Sequence, residues 1–417
     1  MAPQDAVPLK LSLAVVWFSL FCDYTLLTIA VPIFPQLGKS DFATGILFST
    51  KAMLQVLSAP VVARYIDAFN LEPLVLGLAV EAVSTLTFAF TDNYAWWCCA
   101  RAISGIASSC IISSGFLHIQ RRYRDDNEGM GVAMSIVTTG IISGVTFGPP
   151  IGGLLFDIHH SVPFFFLILL IGVAMAGVIV LQRRLEASGA LNSITAGPVG
   201  TLADFREKLK GLMMDKHITV TLLALFCANA AISCLEATFG NYMEDQFGFT
   251  VGQVGMLYVI GAVPSVIGSK IAGPLGNKYM RWKVVMAGLL IQGGFYALGP
   301  KTNFGVEIIS LIMLGLGMGL VDGAAPALLG QRSEAAHGGT GVVYTLNTMA
   351  VQVGFVFGPI VGSGIMELYG FAVMSVILGA FMCLVAPLML INRGMEKEVE
   401  KKKEGDKMSL RGSAEKL

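Results

Sequence analysis

Residues 11–33 read LSLAVVWFSLFCDYTLLTIAVPI, an apolar segment of 23 residues in which Asp23 is the single charge. A helix of about 20 apolar residues crosses the roughly 30 Å hydrocarbon core of a bilayer. A carboxylate at the centre of such a helix costs at least about 2.5 kcal/mol, so it is expected to face a water-filled cavity or a partner group. Asp23 is therefore the first candidate for a functional residue.

The composition is that of a membrane protein. Of the 417 residues, 54% are hydrophobic and 13% are charged, whereas a soluble domain carries about 25% charged residues. The first apolar segment is too long for a removable signal peptide, so we expect it to remain as the first helix. The seven cysteines lie in or beside apolar segments, which favours packing roles over a disulfide framework.

Apolar segments between polar connectors predict an all-α membrane protein with twelve spans. The longest polar connector, 183–216, separates a predicted N-terminal half (1–182) from a C-terminal half (217–392), and the tail (393–417) is predicted to be disordered. The spans are 11–35, 42–63, 72–91, 95–118, 130–155, 161–182, 217–240, 252–273, 283–299, 303–330, 340–365 and 370–392.

The basic residues predict the orientation of these spans. If the N-terminus is cytoplasmic, the inner connectors hold most of the Lys and Arg residues, and the outer connectors hold only Lys39 and Lys301. Cytoplasmic loops carry an excess of basic residues. We therefore expect both termini in the cytoplasm. The sequence leaves open whether the membrane is vesicular, vacuolar or the plasma membrane.

The two halves repeat each other. The stretch GVTFGPPIG at 144–152 matches GFVFGPIVG at 354–362, at an offset of 210. Asp23 in span 1 corresponds to Glu236 in span 7, at an offset of 213. Parallel six-helix repeats with a binding site at their interface are the architecture of the major facilitator transporters. The repeat therefore predicts this fold.

Four ionisable residues lie well inside the spans: Asp23, Lys51, Glu236 and Asp322. In a two-half transporter, spans 1, 7 and 10 line the central cavity, so three carboxylates and one ammonium are expected to converge. Carboxylates in such a cavity can exchange a proton for an organic cation, and Lys51 would balance their charge. The alternative is that Asp23 and Lys51 form a buried structural ion pair.

Other charges in the spans are interpreted as structural. Glu81 lies in span 3, which is usually peripheral in this architecture, and Glu307 lies near the outer end of span 10. Arg101 in span 4 is expected to snorkel outward or to pair within the N-terminal half.

The repeated Gly-Pro stretches have a mechanical interpretation. Small residues four apart let helix backbones approach closely, and Pro removes a backbone hydrogen bond. Ordinary close packing is the alternative, since 48 residues of the chain are Gly. We predict a hinge or gate at Gly144, Gly148, Pro149, Pro150, Gly152, Gly354, Gly358 and Pro359.

These residues resemble the vesicular monoamine and acetylcholine transporters. The resemblance implies a major facilitator fold and proton/amine antiport, with Asp23, Glu236 and Asp322 as cavity acids and Lys51 as the family lysine. The Gly-Pro stretches also resemble the antiporter motif of drug-efflux relatives. The resemblance is carried by DYTLLTIAVPIFP at 23–35, STKAMLQ at 49–55, RAISGIASSC at 101–110, GPPIG at 148–152, CLE at 234–236 and GLVD at 319–322.

The chain departs from this family at three pocket positions. The family acid of helix 11 falls at about Thr348, beside Asn347, so that helix lacks a proton site. Tyr24 replaces the Asn that follows the helix 1 acid, and the aromatic that follows the helix 7 acid falls at Tyr242. We expect Tyr24, Tyr242 and Asn347 to give the pocket a different shape.

The sequence therefore predicts a proton-coupled antiporter that exports a cationic amine or drug-like molecule, with protons, the substrate and the lipid bilayer as its partners. The alternatives are a broad-specificity drug, toxin or metabolite exporter and a non-transporting receptor of the same fold. We expect a monomer. Because no metal-ligand spacing, catalytic constellation, phosphate-binding loop or dinucleotide fingerprint occurs in the sequence, we expect no enzyme activity, metal, cofactor or nucleic-acid partner.

Overall fold

The computed structural model describes residues 8–37, 40–66, 71–91, 93–123, 127–188, 202–298, 303–337 and 341–394. Every regular element among these residues is a helix. The prediction that the tail is disordered falls outside the described residues from 395 onward.

Twelve α-helices form the described part of the chain. Two short 3-10 segments, Phe34–Leu37 and Ala386–Asn392, follow the first and the last of them. The helices are α1 (Leu9–Ile29), α2 (Asp41–Ile66), α3 (Glu72–Phe90), α4 (Tyr94–Arg122), α5 (Asn127–Phe156), α6 (Val162–Ala187), α7 (Leu202–Met214), α8 (Lys216–Phe247), α9 (Val251–Tyr279), α10 (Arg281–Leu298), α11 (Phe304–His337) and α12 (Gly341–Val385).

The helices contain the twelve predicted spans. Ten segments of the described chain are long and apolar enough to cross a membrane, and one of them, Thr345–Asn392, has 48 residues. Gly370 interrupts this segment with a φ of 82°, a conformation that glycine adopts without a steric penalty. Gly370 thus divides α12 into two spans. Helix α10, which is not among the ten, supplies the remaining span, and the short helix α7 belongs to the connector.

The helices assemble into two compact units. Unit 1 contains Met1–Val199, Ser233–Ala262 and Phe355–Gly370, and unit 2 contains Gly200–Ile232, Val263–Gly354 and Phe371–Leu417. This partition follows packing and cuts through α8, α9 and α12. The division at 182 and 217, which follows the sequence repeat, stays a prediction.

In unit 1, α5 packs directly on the backbone of α1. A Cβ atom on Gly144 would lie 2.8 Å from the carbonyl oxygen of Phe21. About two turns after Phe21, the Thr28 hydroxyl donates to the Gly144 carbonyl at 3.0 Å, and a Cβ atom on Gly148 would collide with that hydroxyl. The first Gly-Pro stretch therefore forms a close helix crossing, as small residues do in membrane proteins.

Unit 1 also contains two contacts that repeat at the offset of the Gly-Pro stretches. The backbone N–H of Phe42 donates to Glu367 at 2.8 Å, and the backbone N–H of Gly252 donates to Asp157 at 3.2 Å. Both donors and both acceptors are 210 positions apart in sequence. We call these two contacts the end contacts. They join α2 to α12 and α9 to α5 at the beginnings of α2 and α9.

Unit 2 is also assembled through glycines. A Cβ atom on Gly288 of α10 would lie 2.7 Å from the carbonyl oxygen of Gly317 of α11, and the reverse distance is the same. In the second Gly-Pro stretch, a Cβ atom on Gly354 would lie 2.9 Å from the carbonyl oxygen of Phe226. Helix α12 thus approaches α8 there in the way that α5 approaches α1 in unit 1.

Candidate functional site

A buried ion pair lies in unit 1. Lys51 Nζ of α2 is 3.1 Å from Asp23 Oδ1 of α1, and both side chains are 2% exposed. The Ser108 hydroxyl of α4 donates to the same Asp23 oxygen. Removing two charges from water is unfavourable unless they are paired and hydrogen-bonded. The structure therefore brings together the predicted residues Asp23 and Lys51 and adds Ser108, which no sequence pattern indicated.

Close packing of α4 on α2 positions Lys51. Gly105 of α4 faces α2, and a Cβ atom there would lie 3.0 Å from the Gln55 backbone nitrogen and would collide with the Lys51 carbonyl. One turn further along α4, the Ser109 hydroxyl donates to the Gln55 carbonyl at 3.1 Å. The backbone around Lys51 is therefore fixed against α4 by a residue without a side chain.

Glu81 of α3 lies beside this ion pair. It is 0% exposed, no N–H or hydroxyl donor among the described residues reaches its carboxylate oxygens, and the carboxyl group of Asp23 is its hydrogen-bonding neighbour. The charges of Asp23 and Lys51 act on it. The sequence interpretation of α3 as peripheral missed this residue. Its position in the middle of an apolar span was the signal, but the sequence does not show which neighbour that face of α3 meets.

Arg101 of α4 is buried, so the expectation that it snorkels outward is wrong. Its guanidinium lies over the rings of Phe34 and Phe48, at 5.1 and 5.3 Å from their centroids. None of its three nitrogens has a hydrogen-bond partner among the described residues. The opposite charge that acts on it comes from Glu236, which belongs to the C-terminal half of the sequence.

Glu236 of α8 is partly buried and belongs to unit 1. Its backbone carbonyl accepts a hydrogen bond from the Tyr258 hydroxyl at 3.4 Å. Unit 1 therefore contains three of the four ionisable residues that the sequence predicted for the site. With Glu81 and Arg101 included, the candidate site residues of unit 1 are three carboxyl groups and two cations.

Asp322 of α11 lies in unit 2. Its Oδ1 accepts a hydrogen bond from Asn229 Nδ2 of α8 at 3.1 Å. The Asn229 amide also donates to the Leu225 carbonyl at 3.0 Å, so its orientation is fixed by its own helix. The convergence of Asp322 with the acids of unit 1 stays a prediction.

The three predicted pocket residues are all partly buried. Tyr24 packs against Gly144, where a Cβ atom would lie 2.8 Å from the Tyr24 Cβ. The ring of Tyr242 meets that of Phe247 edge-on at 6.4 Å. The Asn347 side-chain oxygen has no hydrogen-bond partner in the described part of the chain. A pocket shared by Tyr24, Tyr242 and Asn347 stays a prediction.

The predicted hinge residues lie within continuous helices. Helix α5 runs through Pro149 and Pro150, and α12 runs through Pro359. The glycines of both stretches are used for close helix packing, which is the alternative that the sequence left open. Bending at these positions stays a prediction.

Comparison with known proteins places the chain among transporters. A model of the Major Facilitator Superfamily matches residues 14–232 and 221–414. The probable vesicular acetylcholine transporter-B of Danio rerio is 30% identical over 406 residues, which cover 92% of this chain and 79% of that protein. The synaptic vesicular amine transporter of Homo sapiens is 29% identical over 375 residues, 88% of this chain and 70% of that protein.

Solved structures agree on the fold. The nucleoside transporter NupG superposes with a TM-score of 0.73 at 12% identity, covering 92% of this chain and 99% of that chain. A bacterial homolog of the human lysosomal transporter Spinster superposes with a TM-score of 0.71 at 15% identity, covering 94% of this chain and 97% of that chain. These similarities confirm the predicted twelve-helix fold.

Proposed function

Since the chain belongs to the major facilitator superfamily and to its family of vesicular acetylcholine and amine transporters, we propose that it is a proton-coupled antiporter that moves a cationic amine out of the cytoplasm. The observation that supports this most strongly is the buried ion pair of Asp23 and Lys51. A buried ion pair is rarely a gain in stability over apolar side chains, and ionisable residues inside a membrane protein commonly mark substrate or proton pathways.

The contacts of Asp23 suit a site at which Lys51 and a substrate cation alternate as the counter-charge. Lys51 and Ser108 both contact Oδ1, so a substrate ammonium would compete with these two donors for the carboxylate. A substrate cation would replace Lys51 as the main counter-charge of Asp23. Proton binding within the site would return Lys51 to Asp23 and release the substrate on the opposite side of the membrane.

Glu236 of unit 1 and Asp322 of unit 2 are further candidates for proton exchange. Glu236 has the charge of Arg101 acting on it, so its ionised form is partly compensated. Asp322 has a neutral amide as its hydrogen-bond donor and forms no ion pair within the described residues. An acid without a compensating cation is the more readily neutralised by a proton or by a cationic substrate. We therefore assign Asp322 to proton and substrate exchange.

Uptake into proteoliposomes tests the proposal. A panel of labelled amines, including acetylcholine and serotonin, is offered to the full chain under an imposed pH gradient. We expect native protein to take up at least one amine, and Asp23→Asn and Asp322→Asn to lose at least about tenfold of the rate, since a neutral amide cannot carry the proton. Asp245→Asn is the control, because Asp245 is an exposed acid near the end of α8.

The outcomes separate the candidate functions. Uptake that persists in both Asp23→Asn and Asp322→Asn would contradict the assignment of these acids. If the native protein transports none of the panel under either gradient polarity, the amine assignment is wrong and neutral or anionic metabolites become the next panel. Amine binding without any uptake would support the receptor alternative.

A further inference from the structure

We propose that Glu81 of α3 is a proton-binding carboxyl group that works together with the ion pair of Asp23 and Lys51. The inference rests on the proposed proton-coupled antiport, because it assigns one proton of that exchange to a named side chain. Glu81 would thus act through Asp23 and Lys51 and need not touch the substrate.

The packing of α3 on α4 fixes the position of Glu81. A Cβ atom on Gly77, one turn before Glu81, would lie 3.0 Å from the carbonyl oxygen of Ala107 in α4. Less than one turn after Glu81, the Ser84 hydroxyl donates to the carbonyl of Ala100 at 2.8 Å. Glu81 is held between these two contacts. Helix α4 carries Ser108, the donor to Asp23, directly after Ala107.

The burial of Glu81 argues for a bound proton. The residue is 0% exposed, and no N–H or hydroxyl donor among the described residues reaches its carboxylate oxygens. Their hydrogen-bonding neighbour is the carboxyl group of Asp23. An ionised carboxylate buried without a donor is unfavourable, whereas the protonated form is neutral. Asp23, Glu81 and Lys51 together are electrically neutral only when one proton is bound. The geometry therefore favours a protonated Glu81 as long as Lys51 is paired with Asp23.

The groups around Glu81 leave few other sites for this proton. Asp23 and Cys22 of α1 and Lys51 of α2 interact electrostatically with Glu81. Helix α4 contributes Arg101, whose guanidinium lies over two aromatic rings, and Cys110, which meets α3 at Gly77. The buried residues of α6 include no ionisable side chain. Lys51 is the cation whose charge acts on both carboxyl groups.

These contacts define a balanced exchange. A cationic substrate that binds Asp23 displaces Lys51 and adds one positive charge to the cluster. The O–H bond of Glu81 then breaks, its proton leaves to water, and the new carboxylate accepts a hydrogen bond from Lys51 Nζ. One cation has entered and one proton has left. When Glu81 is protonated again, Lys51 returns to Asp23 and the cation is expelled.

The pH dependence of acetylcholine binding to the purified full chain tests this exchange. Acetylcholine is a quaternary ammonium with a pH-independent charge, so any pH dependence of its Kd belongs to the protein. If binding of one cation releases one proton, the Kd falls about tenfold for each unit by which the pH rises. We expect Glu81→Gln to reduce the slope of log Kd against pH by about one, and Glu81→Asp to restore it. Glu244→Gln, at an exposed position of α8, should keep the native slope.

The slope separates a proton site from a structural residue. Loss of a structural contact would weaken binding at every pH and leave the slope unchanged. A folded Glu81→Gln protein with the native slope would overturn the inference without touching the proposed antiport. Failure of the native protein both to bind acetylcholine and to take up any amine of the panel would count against the antiport itself.

Infrared spectroscopy of the native protein without substrate provides a second test. We expect an absorption band from a protonated carboxyl group that shifts in Glu81→Asp and disappears in Glu81→Gln. This measurement does not require substrate binding, so it remains decisive if acetylcholine proves to be the wrong cation. A native spectrum without a protonated-carboxyl band would overturn the inference.

Discussion

Arg101 illustrates how unit 1 holds a charge in its interior. The guanidinium lies over Phe34 and Phe48, and aromatic faces attract cations more strongly when water is excluded. The planar, weakly hydrated guanidinium suits this position better than the compact ammonium of Lys would. The opposing charge that acts on Arg101 comes from Glu236, which belongs to the other half of the sequence but to the same unit.

Asp215 provides a prediction outside the spans. Burial alone would raise the pKa of Asp215, but hydrogen bonds from Arg332 and from the His217 backbone N–H, together with the nearby positive charge, lower the pKa overall. Arg332 Nε lies 2.6 Å from the Asp215 carboxylate. Since the folded-state pKa is the lower one, this stabilisation is present above the ordinary Asp pKa and is lost as pH falls through the folded-state value.

We expect Asp215→Asn to lower the free energy of unfolding by about 1 to 2 kcal/mol near neutral pH, because the pair is partly buried and charge-assisted. Thermal unfolding in detergent measures the difference. The gap between native and variant protein should shrink toward about pH 3, because the stabilisation is lost as the pH falls below the ordinary Asp pKa toward the lower folded-state value. An equal gap at both pH values would show that the charge of Asp215 is not its cause.

At the scale of the helices, the crossing of α5 on α1 depends on Gly144. An added Cβ atom would lie 2.8 Å from the Phe21 carbonyl oxygen and 2.9 Å from the Thr25 nitrogen, and backbone atoms cannot move aside as flexible side chains do. We expect Gly144→Ala to destabilise the protein by about 1 to 3 kcal/mol, measured by thermal unfolding. Gly172→Ala on α6 is the control, because no atom lies within 4 Å of its added Cβ and Ala favours helix.

A Gly144→Ala protein as stable as Gly172→Ala would contradict a packing role for this crossing. Transport separates the two interpretations of the Gly-Pro stretch. If packing is the whole role, loss of uptake should follow loss of stability, whereas a hinge would lose uptake in a variant that remains stable.

At the scale of the whole molecule, hydropathy and the internal repeat were enough to predict the fold. Apolar length and charge placement are local properties, and the twelve spans follow from them. Less of the candidate site could be predicted from the sequence. Glu81 and Arg101 lie on helices whose spacing is visible in the sequence, but the neighbour that each buried face meets depends on packing between distant segments. Ser108 contacts Asp23 across 85 positions of sequence, and no local pattern indicates that contact.

The end contacts show that the sequence duplication is repeated in the packing of the helices. Glu367 accepts from the first turn of α2, and Asp157 accepts from the first turn of α9. The same offset relates Gly45, whose added Cβ would collide with the Pro359 carbonyl, to Gly255, whose added Cβ would collide with the Pro149 carbonyl. In each half of the repeat, a carboxylate after a Gly-Pro stretch thus caps the helix that packs on that stretch. Negative charge at a helix N-terminus is stabilising.

This repetition predicts that the two end contacts stabilise the arrangement of unit 1 independently and to a similar degree. Ser363 is buried near Gly45, so the thiol of a Ser363→Cys variant would react with a thiol reagent only when this region opens. Asp157→Ala and Glu367→Ala should each accelerate the reaction roughly two- to fivefold, and the double variant should show the product of the two factors. The exposed native Cys99 should react at an unchanged rate. If only one of the two substitutions accelerates the reaction, the contacts repeat in geometry but not in energy, and opening is governed by one half of the duplicated fold.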